Sequence, residues 1–202
     1  MTLYIKLGGI LLIISVIATG ILAYVNSVTE PKIIALKAAE AVKSREALIP
    51  GADFEEVKVS DDFSYFIAYK KGSKELLGYT FTAGKTGYSS KVLTMAGLDP
   101  QFNIINIKVI DQAETPGLGA NCTAPSFSDQ FKGKTQEQML VDKDGGPIKS
   151  LSGATITTRA IANSLMEQIQ VLKKDVDSHL RGNDTEIGND VTLAKDKQEV
   201  GQ

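Results

Sequence analysis

The sequence predicts an α+β protein: one N-terminal transmembrane helix, followed by a single domain in which a mostly antiparallel sheet is flanked by helices. Three observations lead there. The chain is uncharged from Leu7 to Val25. β-rich runs separated by turn residues fill the middle, from Phe63 to Ile110. An amphipathic segment, Arg159 to Lys174, places Ile161, Leu165, Ile169 and Leu172 at the spacing of one helix face. At 202 residues the chain suffices for one core with an anchor and a tail, and not for two sizeable cores.

Taken in order, Leu7 to Val25 spans about 28 Å as a helix, close to the roughly 30 Å hydrocarbon core of a bilayer. A cleaved signal peptide is the rival reading, because Lys6 precedes the apolar run and Ala18 to Ala23 offers small residues. Signal cores are shorter, about 7 to 15 residues, which favours an uncleaved anchor over residues 1–26. Lys6 lies before the span and Lys32, Lys37, Lys43 and Arg45 after it, so the distribution of positive charge does not decide the side. Glu30 to Leu48 has a strongly helical composition and stops at Ile49-Pro50-Gly51, which makes residues 27–50 a stalk helix docking on the domain. Strands are expected at Ser64 to Tyr69, Leu77 to Thr82, Val92 to Ala96 and Ile104 to Ile110. Ala96-Gly97-Leu98-Asp99 reads as a turn, and Asp99 to Asn103 as the link of a hairpin. Short helical pieces are expected at Phe127 to Phe131 and Thr135 to Val141, and Gly145-Gly146-Pro147 closes that stretch. The domain thus covers 51–174. From 175 to 202 the chain is polar and rich in Gly, Asn and Asp, the composition of a disordered tail without assigned function.

Composition excludes several chemistries. A net charge of −2 with no basic run or aromatic ladder gives no footing for nucleic acid. The single cysteine, Cys122, allows no intrachain disulfide and no thiolate cluster, and reads as a small core residue. The only histidine, His179, falls in the tail, which argues against a Ser-His-Asp triad, a zinc site or a His-ligated haem. There is no dinucleotide fingerprint and no phosphate-binding Gly-Lys-Ser/Thr loop. The pairs Asp61-Asp62 and Asp142 with Asp144 read as solvated carboxylates.

One string carries chemistry. Ser152-Gly153-Ala154-Thr155-Ile156-Thr157-Thr158 crowds hydroxyls onto a helix start, where free N–H groups and the helix dipole favour an anion. An ordinary helix cap uses the same residue types. The string also resembles the Ser/Thr-Gly-Ala-Thr flavinylation motif of FMN-binding domains in membrane electron-transport complexes. A second segment, Glu114-Thr115-Pro116-Gly117-Leu118-Gly119, would by itself be a surface turn. It resembles a loop of the G subunit of the Rnf ion-translocating electron-transport complex and of the C subunit of the sodium-pumping NADH:quinone oxidoreductase. The similarity continues through Gly87-Tyr88-Ser89, Ala96 to Asp99 and Phe127 to Lys134, roughly Leu3 to Lys173 in all. The G subunit is the nearer of the two, since the C subunit is usually longer.

The resemblance implies an FMN-binding domain whose cofactor is FMN joined to Thr155 by a phosphoester. It implies cofactor contacts from Tyr88, Glu114, Thr115, Gly117, Leu118, Gly119, Ser152, Gly153, Ala154 and Thr157, with no catalytic group and no metal ligand in the chain itself. Implied partners are the other Rnf subunits, membrane lipid, and a flavin transferase that uses FAD and a divalent metal. The implied activity is electron transfer within a translocase that couples ferredoxin and NAD to ion movement. The implied location is the cell (inner) membrane, single-pass, with the domain on the periplasmic or extracellular side. The chain departs from the family at Lys149, where relatives commonly carry Asp three residues before the motif. A non-flavinylated assembly or binding module of the same fold is the alternative that this departure leaves open.

Overall fold

The computed structural model describes residues 2–60 and 63–196, with side chains described over 4–60 and 63–178. The chain divides into two units, residues 1–43 and 44–202. In the first, helix α1 (Thr2–Leu48) begins and runs through Pro31, so that the segments expected as anchor and stalk share one backbone helix. Its Tyr4–Leu48 portion has a window of mean hydropathy 2.3 and is long and apolar enough to cross a membrane. Tyr4, Leu11, Ile14, Ile17 and Leu22 are all more than half exposed, as an apolar helix without a protein partner must be.

The second unit holds the last turn of α1, from Ser44, and the domain. The helix stops where the sequence demands: Ile49 N–H still reaches Arg45 O, and Gly51 then takes a positive φ. Five strands follow as an antiparallel meander in chain order: β1 (Ala52–Lys58), β2 (Ser64–Lys70), β3 (Leu76–Thr86), β4 (Lys91–Leu98) and β5 (Ile104–Asp111). Sequential antiparallel order is what short turns between neighbouring strands produce. β2 to β5 match the four expected strands with longer ends. β1 is additional. It pairs only with β2 at the sheet edge, and most of its side chains are exposed, so no apolar alternation marks it. The expected turn at Ala96 to Asp99 is corrected: Ala96, Gly97 and Leu98 are buried residues of β4, and the reversal starts at Asp99. There the Asp99 carboxylate accepts from the N–H groups of Gln101 and Asn103 at 2.9 and 2.8 Å, closing the β4–β5 hairpin.

After β5 the chain is mostly tight turns. Helix α2 (Pro125–Ser128) and a 3-10 turn at Asp129–Phe131 fill the expected helical piece. The piece expected at Thr135 to Val141 shrinks to a 3-10 turn at Gln136–Gln138, because Val141 leaves it to bridge Ile148 in parallel. Helix α3 (Thr155–Asp196) starts four residues before the apolar spacing marks it. Its backbone continues past Lys174, and its side chains from residue 179 on lie outside the described residues, as do His179 and the Asp61-Asp62 pair.

One sheet face and α3 make the core. Phe81, Ala83, Val92, Ala96, Leu98 and Ile107 meet Ile161, Leu165, Ile169 and Leu172, the four residues whose spacing marked the helix. Phe127, Phe131, Met139, Val141 and Ile148 close the end of this layer, and Cys122 is buried among them. On the other sheet face Gly97 takes Leu48 and Ile49, and a Cβ there would stand 3.2 Å from Leu48 Cβ. The sheet thereby fixes where α3 begins, and with it the position of the hydroxyl-rich string.

Candidate functional site

The start of α3 is built by its own threonines. Leu151 to Ala154 form a turn closed by Ala154 N–H to Leu151 O at 2.9 Å, with Gly153 at φ +70, a conformation that side-chain-bearing residues avoid. Thr158 locks that turn. Its hydroxyl donates to Ala154 O and accepts from Leu151 N–H, both at 3.1 Å. Thr157 points the other way and donates to Glu114 Oε2 at 2.7 Å. Both hydroxyls are fully buried and committed to the fold. Thr155 is half-buried, and among the described residues no hydrogen bond uses its Oγ1. As the first residues of a helix, Thr155, Ile156 and Thr157 present N–H groups with no acceptor one turn back, since Ala154 O is the first to be used, by Thr158.

Glu114 faces this helix start from the opposite side. Only 5% exposed, its carboxylate gathers a third segment, the tip of the β3–β4 hairpin. Oε1 accepts from Ser89 N–H at 3.0 Å and Ser90 N–H at 2.9 Å, and Oε2 from Tyr88 N–H at 3.2 Å. The Ser90 hydroxyl in turn accepts from Ala113 N–H at 2.8 Å. Burial pushes the Glu114 carboxyl up, but the Thr157 hydroxyl and the three N–H donors outweigh it and hold it below the ordinary range. Space around the carboxylate is kept by glycine. A Cβ on Gly119 would lie 2.7 Å from Oε2 and 2.9 Å from Thr157 Oγ1.

These three segments enclose a cavity of ≈ 470 Å³, within the range of small-molecule sites. Tyr88, Glu114, Thr115, Leu118, Gly119, Gly153, Ala154, Thr155 and Thr157 line it, together with Ile156. Gly117 and Ser152 stand outside the lining although adjacent to it in sequence. Ile156 is the lining residue that the sequence reading passes over; half-exposed beside Thr155, it carries no polar signal. Glu114 and Thr157 form the floor, with their hydrogen-bonding capacity spent on the protein. The rim is apolar: Tyr88, Leu118 and Ile156 are 73%, 43% and 51% exposed. With no Lys or Arg in the lining among the described residues, the donors left for an anion are the backbone N–H groups at the start of α3 and the Thr115 and Thr155 hydroxyls.

Asp142 and Asp144 are exposed, as expected of surface carboxylates, and each also has a partner in the fold. Asp142 accepts from Ser150 N–H at 3.1 Å and from its hydroxyl, and Asp144 binds the Arg159 guanidinium through two contacts of 2.8 Å. The first closes the 142–150 loop on itself and the second ties it to the first turns of α3, pairings set by the fold and absent from local spacing. Lys149 is held through its main chain, N–H to Gln130 Oε1 at 2.9 Å. Cys122 meets expectation as a buried residue, its thiol pushed up to about 11 by burial, with Glu114 adding to the shift. Among the described residues no group of three or more His, Cys, Asp and Glu could hold a metal ion.

The chain is similar in sequence to known proteins. The FMN-binding domain family matches residues 87–170, which contain the hairpin tip, the Glu114 loop and the start of α3. The G subunit of the ion-translocating oxidoreductase complex of Methanosarcina acetivorans is 31% identical over 163 residues, 77% of this chain and 87% of the relative. The G subunit of the Na(+)-translocating ferredoxin:NAD(+) oxidoreductase complex of Acetobacterium woodii is 33% identical over 187 residues, 82% and 90% of the two chains. The crystal structure of Shewanella oneidensis NqrC aligns with 63% of this chain and 74% of its own, at 20% identity and a TM-score of 0.44. With such identity over most of both sequences, the chain belongs to the G-subunit family of Rnf-type ion-translocating oxidoreductase complexes.

Proposed function

We propose that this chain is a membrane-anchored FMN carrier that passes electrons within an Rnf-type complex, and that its flavin is held covalently through Thr155. The observation that carries the reading is the division of labour among the hydroxyls. Thr157 and Thr158 are buried and bonded within the fold, Ser152 lies outside the cavity lining, and Thr155 lines the cavity with Oγ1 uncommitted. An ester oxygen at Thr155 sits beside the N–H groups that would receive the phosphate oxygens. The residues fit the group in two further ways. Gly153 and Gly119 keep side chains out of its path, and Leu118, Ile156 and Tyr88 offer apolar surface to a ring.

Bound there, FMN supplies one- and two-electron redox chemistry, and the protein supplies its position and electrostatics. Retention is the physical reason for an ester. A helix start contributes only about 0.3–1 kcal/mol to holding an anion, up to about 2 when partly buried. The buried Glu114 carboxylate on the cavity floor adds repulsion. Thr155 acquires the group by giving its hydroxyl proton to solvent and forming the Oγ1–phosphorus bond, while the diphosphate bond of FAD breaks and AMP leaves; a flavin transferase with a divalent metal conducts that exchange. The single-pass anchor holds the domain on the periplasmic or extracellular face, where a released cofactor would be lost by dilution. Residues 1–26 serve as anchor, 27–50 as stalk, 51–174 as the flavin domain and 175–202 as tail.

The test is coexpression with the transferase followed by acid precipitation. Wild-type pellets should stay yellow and Thr155→Ala pellets should be colourless, with the variant's thermal unfolding unchanged. A colourless wild-type pellet would instead favour the non-flavinylated module.

A further inference from the structure

A second concavity of the second unit lies along the same β3–β4 hairpin. It has a volume of ≈ 560 Å³ and is walled by β2, β3 and β4, by Arg45 at the end of α1, and by Gln168 of α3. Its lining differs in kind from that of the flavin site. Two cations, Arg45 and Lys91, line it and no carboxylate of the described residues does, while Glu56, opposite Phe66 on β1, acts on the Arg45 charge from outside the lining. Arg45 is fixed in place: its guanidinium carbon lies 3.3 Å from the centre of the Phe66 ring, which holds the planar group and leaves its edge for hydrogen bonding.

Three residues of this lining carry a buried polar atom without a partner. Among the described residues, buried side-chain atoms without a hydrogen-bond partner include Arg45 Nε, Thr80 Oγ1 and Gln168 Oε1, and all three residues line this cavity. Thr80 is fully buried, so its hydroxyl is cut off from bulk solvent. Buried polar groups are ordinarily paired, so a polar occupant of the cavity would be favoured. A polar cavity holds water when nothing else enters. A cavity of ligand size, with a stacked guanidinium and a second cation, is suited to more. We propose that it is a second ligand site, for a small organic anion. A carboxylate or phosphate would be received by Arg45 and Lys91, and an apolar body would lie against Leu93, on the sheet face that Arg45 covers.

Phenyl phosphate titrated into the full chain in detergent micelles, followed by calorimetry and by backbone amide shifts, tests this. Saturable binding is expected, with shifts at Thr80, Gly84 and Lys91, tighter than for inorganic phosphate and retained in Thr155→Ala. Arg45→Lys keeps the charge but loses the fork, and Lys91→Met removes an exposed cation without touching the core. Each should weaken binding about tenfold while unfolding remains cooperative. Absence of saturable binding, equal affinity for inorganic phosphate, shifts confined to the Thr155 cavity, or variants within roughly twofold of wild type would each overturn the proposal. None of these outcomes bears on flavin attachment, which the acid-precipitation test reads separately.

Discussion

Glu114→Gln perturbs the joint on which the cavity at the start of α3 depends, and its cost can be worked from the contacts. Glutamine must place its NH2 where one carboxylate oxygen stood. At the Oε1 position it would meet the Ser89 and Ser90 N–H groups, donor against donor. At the Oε2 position the Thr157 hydroxyl can turn to accept, and only the 3.2 Å bond from Tyr88 N–H is lost. The second arrangement therefore wins. It forfeits one charge-assisted bond, about 1.5–3 kcal/mol, and reduces the others to neutral strength, while removing a charge that burial disfavours. A net loss of about 2–3 kcal/mol follows, or roughly 5–10 °C in melting temperature. Thermal and urea unfolding at neutral pH measure it. The dependence on pH has a definite sign. The folded carboxyl binds its proton less tightly than the unfolded one, so its stabilisation is complete above the ordinary value of 4.5 and fades as pH falls through the lowered folded value. The gap between wild type and variant should narrow across that range. A variant within about 0.5 kcal/mol of wild type at neutral pH, or a gap that widens on acidification, would refute the clamp.

Gly119→Ala should destabilise by about 1–3 kcal/mol and lower flavin loading, because its Cβ would stand 2.7 Å from Glu114 Oε2; unchanged unfolding would count against the packing described. Gly78→Ala should be worse, at least about 3 kcal/mol or no soluble protein, since it meets the Leu98 carbonyl oxygen at 1.9 Å from a backbone at φ +153. Deleting residues 1–26 should release a folded domain into the soluble fraction, and amino-terminal sequencing of the membrane-bound form should find the apolar segment intact; a start near Ala23 would show that it is cleaved.

Much of this was legible in the chain because local signals coincide with global ones. The apolar spacing of Ile161, Leu165, Ile169 and Leu172 is the buried face of α3, and the turn residues between β-rich runs separate real strands. What stayed hidden has two physical causes. β1 is an exposed edge strand, and a strand with little to bury leaves no alternation to read. The clamp joins residues 24 to 43 positions apart, and no local spacing encodes a contact made by three loops closing on each other. Glu114 was legible as a residue of the site through its motif. Its work as a buried acceptor for the hairpin tip and for the Thr157 hydroxyl required the fold. Asp144 illustrates the same limit, since its partner Arg159 lies across a turn and a helix start.

The most direct measurement is peptide mass mapping of the full chain purified after coexpression with the transferase. The peptide containing Thr155 should carry the mass of FMN less one water, with fragment ions placing it on that residue and not on Ser152, Thr157 or Thr158. An adduct on another hydroxyl, or unmodified peptide throughout under conditions that flavinylate a relative from the same family, would contradict the account.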